Sequence, residues 1–213
     1  MIDPAVLRLY AVTCCEKTGT RELEAALQGG ATVVQLREKK IDDDALLEKA
    51  REFAAICRRY RVPLIINDRL DIALRSGAAG VHLGQGDGLS AAARGMLGPG
   101  KILGISVHTI EEAREAARLG ADYLGIGAVF PTTTKTDAQD VPPDKLREIA
   151  AAVPLPVVAI GGITSENLPR LRGLGIAGVA VVSAIFLADD ITSATHRLRV
   201  AVDEFIAVPG GNR

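Results

Sequence analysis

Gly30-Ala31-Thr32-Val33-Val34 is echoed at Gly77-Ala78-Ala79-Gly80-Val81, at Gly120-Ala121-Asp122-Tyr123-Leu124 and at Gly175-Ile176-Ala177-Gly178-Val179. The offsets are 47, 43 and 55 residues. Each echo places a glycine just ahead of an apolar run, as expected where a helix closes in the left-handed conformation and a strand follows. Each interval is long enough for two strand–helix units. Around these anchors, short aliphatic or β-branched runs recur at 9–13, 33–37, 64–67, 80–83, 102–106, 123–127, 157–160 and 179–182. They are continuous rather than alternating, the pattern of strands buried on both faces. Between them lie stretches of helical periodicity, clearest at 42–60, 110–119 and 191–206. The first opens with Asp42, Asp43 and Asp44 and closes with Arg58, Arg59 and Arg61, which suits a helix dipole. Eight strand–helix units on 213 residues predict an α/β chain folded as a single compact (β/α)8 TIM barrel, residues 1–213, with 209–213 a flexible tail. A doubly wound open sheet would place a glycine-rich loop after its first strand. Cys14-Cys15-Glu16-Lys17-Thr18-Gly19 is not one.

Composition narrows the function classes. Lys and Arg number 25 against 26 Asp and Glu, so no bulk charge favours nucleic acid or an anionic membrane. Aromatics are 3% of the chain and Trp is absent, too few for base-stacking platforms. No long uncharged apolar stretch reads as a membrane span, and the N-terminus lacks a signal-peptide pattern. Three cysteines, Cys14, Cys15 and Cys57, are read as reduced thiols, and a cytoplasmic location is expected. The three histidines, His82, His108 and His196, lack zinc-ligand spacing. The stretch from Gly95 to Lys101 mimics a P-loop, but it contains Pro99 and is followed by Ile102 instead of Ser or Thr.

In such a barrel the site forms where the strands end. The runs stop at Gln35-Leu36-Arg37-Glu38-Lys39, Asn67-Asp68-Arg69, Gly84-Gln85-Gly86-Asp87, Ser106-Val107-His108, Pro131-Thr132-Thr133-Thr134-Lys135, Gly161-Gly162 and Ser183. Any one of these alone reads as a solvated loop; seven at one mouth do not. Arg37, Lys39 and Lys135 bring three cations, enough for a diphosphate, unless they pair with Glu38 or Asp137. Asp68 and Asp87, helped by Asn67, could hold one Mg²⁺, which takes few protein oxygens. The alternative for Asp68 is to cap the helix that follows. Gly161-Gly162-Ile163 and Val182-Ser183 suit backbone binding of a phosphate, the alternative for the glycines being a tight turn.

Five blocks then carry a family resemblance: Gln35-Leu36-Arg37-Glu38-Lys39, Ile66-Asn67-Asp68-Arg69, Gly80-Val81-His82-Leu83-Gly84-Gln85, Phe130-Pro131-Thr132-Thr133-Thr134-Lys135 and Ala159-Ile160-Gly161-Gly162-Ile163. In order and spacing, the chain resembles the thiamine-phosphate synthases from about Leu9 to Ser183. The resemblance implies a transferase that couples 4-amino-5-hydroxymethyl-2-methylpyrimidine diphosphate to 4-methyl-5-(2-hydroxyethyl)thiazole phosphate, with Mg²⁺ as cofactor. It implies that Arg37, Lys39, Asn67 and Lys135 contact the diphosphate, and that Asp68 and Asp87 ligate the metal. Gln35 and Ser106 would face the pyrimidine. Thr132, Thr134, Gly162, Val182 and Ser183 would hold the thiazole phosphate. Arg37, Lys39, Lys135 and Ser106 are the residues expected to act in catalysis. Cys14 and Gly86 stand where relatives often carry acidic residues. The partners expected are small molecules, with no nucleic acid and no membrane; a homo-oligomer is compatible with everything above. Two rivals stand beside this reading. Ser106-Val107-His108-Thr109 with Glu111-Glu112 also resembles a thiazole tautomerase block, with His108 as acid–base group, and a non-catalytic thiamine-phosphate sensor would share the cavity.

Overall fold

Asp42 shows how the local sequence starts a helix: its carboxylate accepts the Ala45 N–H at 3.0 Å, Asp43 and Asp44 fill the first turn, and Arg58 and Arg59 the last. In a computed structural model, which describes residues 2–14, 17–86, 91–132 and 140–205, this is α2, Asp43–Arg59. The elements run β1 (Leu9–Val12), α1 (Thr20–Gln28), β2 (Val33–Leu36), α2, β3 (Leu64–Asn67), α3 (Leu70–Ser76), β4 (Gly80–Leu83) and α4 (Ala91–Leu97). They continue through β5 (Ile102–Val107), α5 (Ile110–Arg118), β6 (Tyr123–Ile126), α6 (Pro143–Ala151), β7 (Val157–Ile160), β8 (Gly178–Val181), α7 (Ser183–Phe186) and α8 (Ile191–Phe205). The eight strands pair in chain order, all parallel, and β8 pairs with β1 to close the barrel. This is the expected (β/α)8 architecture.

The four echoed glycines all adopt left-handed backbone: φ is 101° at Gly30, 78° at Gly77, 81° at Gly120 and 77° at Gly175. A side chain would be strained at each, so glycine turns the chain into the next strand. The seventh connection departs from the expected alternation. Between β7 and β8 the chain forms only a 3-10 turn, Leu168–Leu171. Pro169 lacks an N–H, and Gly173 and Gly175, both with positive φ, follow at once, so no α-helix propagates. Arg61, grouped with the end of α2 by sequence, lies beyond it in a left-handed turn.

Strand residues divide by parity, as period-2 geometry requires. Leu9, Ala11, Val34, Leu36, Ile66 and Leu124 point outward into the large cluster shared with the helices, where Phe53, Cys57, Leu146 and Leu198 pack. Burial pushes the Cys57 thiol up to about 12, so it is an inert apolar filler. Tyr10, Val33, Ile65, Tyr123, Val158 and Ala180 point inward and form a second cluster inside the barrel. Away from the strand ends, Asp203 of α8 accepts from Arg8 Nη1 and Arg199 Nε, both at 2.7 Å, tying the last helix to the base of β1.

Candidate active site

The inward residues change character along the strands. Val33 and Ile65 are apolar, but the next inward positions are Gln35 and Asn67, and the strand ends beyond them carry Arg37, Lys39 and Asp68. These groups open onto one cavity of about 480 Å³. Of the residues implied by the resemblance, Gln35, Arg37, Lys39, Asn67, Asp68, Ser106, Thr132, Gly162, Val182 and Ser183 all line it. They come from six different strand ends. Asp87, Thr134 and Lys135 lie outside the described residues, as does Cys15.

Several backbone devices hold this rim. Thr13, fully buried at the end of β1, accepts the Arg37 N–H at 2.9 Å and donates to the Arg37 carbonyl at 3.2 Å, which fixes where Arg37 leaves the strand. Glu38 turns away from the cavity. Its carboxylate, 3% exposed, accepts from Lys49 Nζ at 2.5 Å. Among the described residues Glu38 therefore pairs with Lys49 of α2, and the alternative partner Asp137 lies outside the described residues, as does Lys135. Asp68 has φ 63°, and its N–H donates to the His82 carbonyl at 2.8 Å. Its alternative role as a helix cap is corrected. The cap position of α3 is Arg69, with no side-chain cap bond, and Asp68 lies one residue earlier at the cavity rim. Left-handed backbone is uncommon at a non-glycine residue, although Asp tolerates it better than most.

Oxygen donors from Asp68 and Asn67 suit a hard cation that retains several waters. Among the described residues, no group of three or more His, Cys, Asp or Glu could hold a metal ion. A metal at this rim would need oxygens beyond those of Asp68 and Asn67 to complete its shell.

Gly161 and Gly162 follow β7 with φ of 102° and 63°. A Cβ on Gly162 would lie 2.4 Å from the Pro131 carbonyl oxygen, so backbone packs directly on backbone here. Asn167 clamps this turn: its Nδ2 donates to the Gly162 carbonyl at 2.7 Å and its Oδ1 accepts the Thr164 N–H at 2.9 Å.

Sequence reasoning missed the cavity floor. Gln35 Nε2 donates to Tyr10 Oη at 2.9 Å, Tyr10 Oη lies 2.8 Å from Tyr123 Oη, and His82 Nδ1 lies 2.9 Å from Tyr123 Oη. His82 Nε2 in turn lies 2.9 Å from Ser106 Oγ. Burial pushes both phenols well above their ordinary range, so both keep their protons at neutral pH. The signal was parity. His82 sits at an inward position among apolar neighbours, like Gln35 and Ser106.

His108 also lines the cavity, but its surroundings have a structural purpose. Thr109 Oγ1 accepts the Glu112 N–H at 3.1 Å, while Glu112 Oε2 accepts the His108 N–H at 2.6 Å. This reciprocal pair starts α5 in the manner of a capping box.

A closed (β/α)8 barrel with cations, a carboxylate and a glycine turn around one mouth has the layout of a barrel enzyme, whose site forms at the strand ends. Comparison with known proteins makes that specific. The thiamine monophosphate synthase family model matches residues 9–185. A thiamine-phosphate synthase of Ruminiclostridium cellulolyticum is 48% identical over 194 residues, covering 89% of this chain and 92% of that one. One from Methanobrevibacter smithii is 49% identical over 195 residues, covering 90% and 93%. Among solved structures, the thiamine phosphate pyrophosphorylase from Pyrococcus furiosus superposes with a TM-score of 0.88 at 38% identity, covering 96% of this chain and 99% of that one. The chain belongs to the thiamine monophosphate synthase family, and by that membership it is a transferase.

Proposed function

We propose that this chain joins 4-amino-5-hydroxymethyl-2-methylpyrimidine diphosphate to 4-methyl-5-(2-hydroxyethyl)thiazole phosphate, in the presence of Mg²⁺, giving thiamine phosphate and diphosphate. The observation that carries the reading is the convergence, on one cavity, of all the described residues that the family resemblance implicates.

The chemistry asks little of acid–base groups. The bond from the pyrimidine methylene to the diphosphate oxygen breaks, its electron pair leaving with diphosphate. The thiazole nitrogen then gives its lone pair to the same carbon. Arg37 and Lys39 would hold the diphosphate and offset the charge that builds on it. Gln35 and Ser106 would orient the pyrimidine. Thr132, Gly162, Val182 and Ser183 would hold the thiazole phosphate so that its nitrogen faces the methylene carbon. Asp68 and Asn67, with Asp87 as a further proposed ligand, would hold Mg²⁺. When bound, the ion supplies Lewis-acid support to the diphosphate oxygens.

The decisive experiment mixes both substrates and Mg²⁺ with the purified chain and follows thiamine phosphate and diphosphate. Folded protein that forms neither product would refute the reading. Asp68→Asn should raise the Mg²⁺ concentration giving half-maximal rate by about ten-fold or more, because a charged ligand is lost. An unchanged Mg²⁺ titration would remove Asp68 from the metal site.

The tautomerase reading places His108 in the acid–base role, and His108 does reach the cavity wall. Glu112 Oε2 lies 3.4 Å from His108 Nδ1 and also accepts the His108 backbone N–H, which alanine keeps, so His108→Ala should leave the fold intact and coupling near the wild-type rate. Loss of coupling in a folded variant would favour the rival chemistry. Product binding with no turnover would favour the sensor.

A further inference from the structure

The hydrogen bonds beneath the cavity run from wall to wall. Gln35 stands on β2 and Ser106 on β5, and three side chains connect them: Tyr10 of β1, Tyr123 of β6 and His82 of β4. Gly104 makes the crossing possible. It is the register partner of both His82 and Tyr123 on the flanking strands. A Cβ there would lie 2.2 Å from Tyr123 Cζ and 2.5 Å from His82 Nδ1. Gly125, opposite Ser106, likewise leaves room for the imidazole: a Cβ would come within 3.0 Å of His82 Cε1.

We infer that this chain of hydrogen bonds has a direction, and that His82 is a positioning residue which makes Gln35 an acceptor and Ser106 a donor toward the ligand. Proton counting supplies the direction. Gln35 Nε2 gives a proton to Tyr10 Oη, and each phenol has a single proton to pass on. Tyr10 therefore donates to Tyr123, and Tyr123 to His82 Nδ1. The imidazole carries its proton on Nε2 and donates it to Ser106 Oγ. The Ser106 proton is left for the ligand, and Gln35 Oε1 is left to accept. Reversing one end reverses all of it: if the Gln35 amide turns over, the tautomer of His82 switches and Ser106 becomes an acceptor. Two walls are thus held to complementary roles by a run of side chains along the cavity floor. An aminopyrimidine offers an amine donor and a ring-nitrogen acceptor on separate edges of one ring, and so fits this polarity. A 4-oxopyrimidine replaces the donor with an acceptor and does not.

This inference rests on the proposed pyrimidine substrate, but its test does not need turnover. Calorimetric binding of the 4-amino and 4-oxo pyrimidine diphosphates, without the thiazole, should favour the amine by about thirty-fold in the wild type, the factor one mispaired buried hydrogen bond brings. In Tyr123→Phe, which interrupts the proton order, the preference should fall to about three-fold or less, consistent with the second wall no longer being held. A merely structural role would lower the melting temperature of Tyr123→Phe and leave that ratio unchanged, which would overturn the inference. Should the variant fail to fold, ¹⁵N spectra of wild-type His82 decide: an Nε2-protonated neutral ring is expected, and an Nδ1-protonated ring overturns the direction. A wild type that discriminates the two ligands yet makes no thiamine phosphate would refute the proposed function alone. Coupling without discrimination would refute only this inference.

Discussion

Arg37→Ala should lower kcat/KM for the pyrimidine diphosphate by two to three orders of magnitude while leaving the melting temperature near that of the wild type. One charge about 4 Å from an anion is worth about 4 kcal/mol at an effective dielectric near 20, or roughly a thousand-fold in rate. Arg37 is half-buried at the rim, so solvent takes back part of that. Its side chain is not part of the core, and the Thr13 clasp holds its backbone, which alanine keeps. Arg37→Lys should recover part of the rate, since a point charge replaces the fork. Steady-state kinetics with each substrate varied, beside a thermal melt, checks this. Equal loss of stability and rate would mean that Arg37 supports the fold instead of the leaving diphosphate.

Gly162→Ala should act on the other substrate. The residue has φ 63°, where a Cβ costs about 1–2 kcal/mol, and that Cβ would press on the Pro131 carbonyl oxygen and on Phe130. Both neighbours are backbone or core, so the turn itself must move. Pro131 leads directly into Thr132, so the two parts of the proposed thiazole-phosphate site shift together. A displacement of about 1 Å can cost a hundred-fold in rate. The expected result is a loss of about that size in kcat/KM for the thiazole phosphate, a smaller effect on binding of the pyrimidine diphosphate, and a melting temperature lower by several degrees. An unchanged KM for the thiazole phosphate would sink the assignment of this turn.

How much of this was legible in the residues differs by feature. The strands were readable because continuous apolar runs have few other uses. The joints were readable because only glycine sits easily at positive φ, and the echo at Gly30, Gly77, Gly120 and Gly175 repeated the signal. Rim residues such as Arg37, Asp68 and Gly162 could be named because polar groups stop each strand on the same side. The seventh connection was harder: Pro169 and Gly173 mark a break, but the sequence periodicity does not say that a 3-10 turn suffices. Asp68 resembled a cap because a carboxylate before a helix usually is one; its left-handed backbone moves the cap to Arg69. The buried path through His82 depends on register across β4, β5 and β6 and on the curl of the sheet that brings Tyr10 of β1 to Tyr123 of β6, and no single strand sets either.

The recurring glycine joints lie where helices hand over to strands, on the face of the barrel opposite the cavity. A linker or fused module attached on that underside would hang clear of incoming substrates. Immobilising the protein from below, through residues beside those joints, therefore offers a way to anchor it on a surface while the mouth stays open to solution.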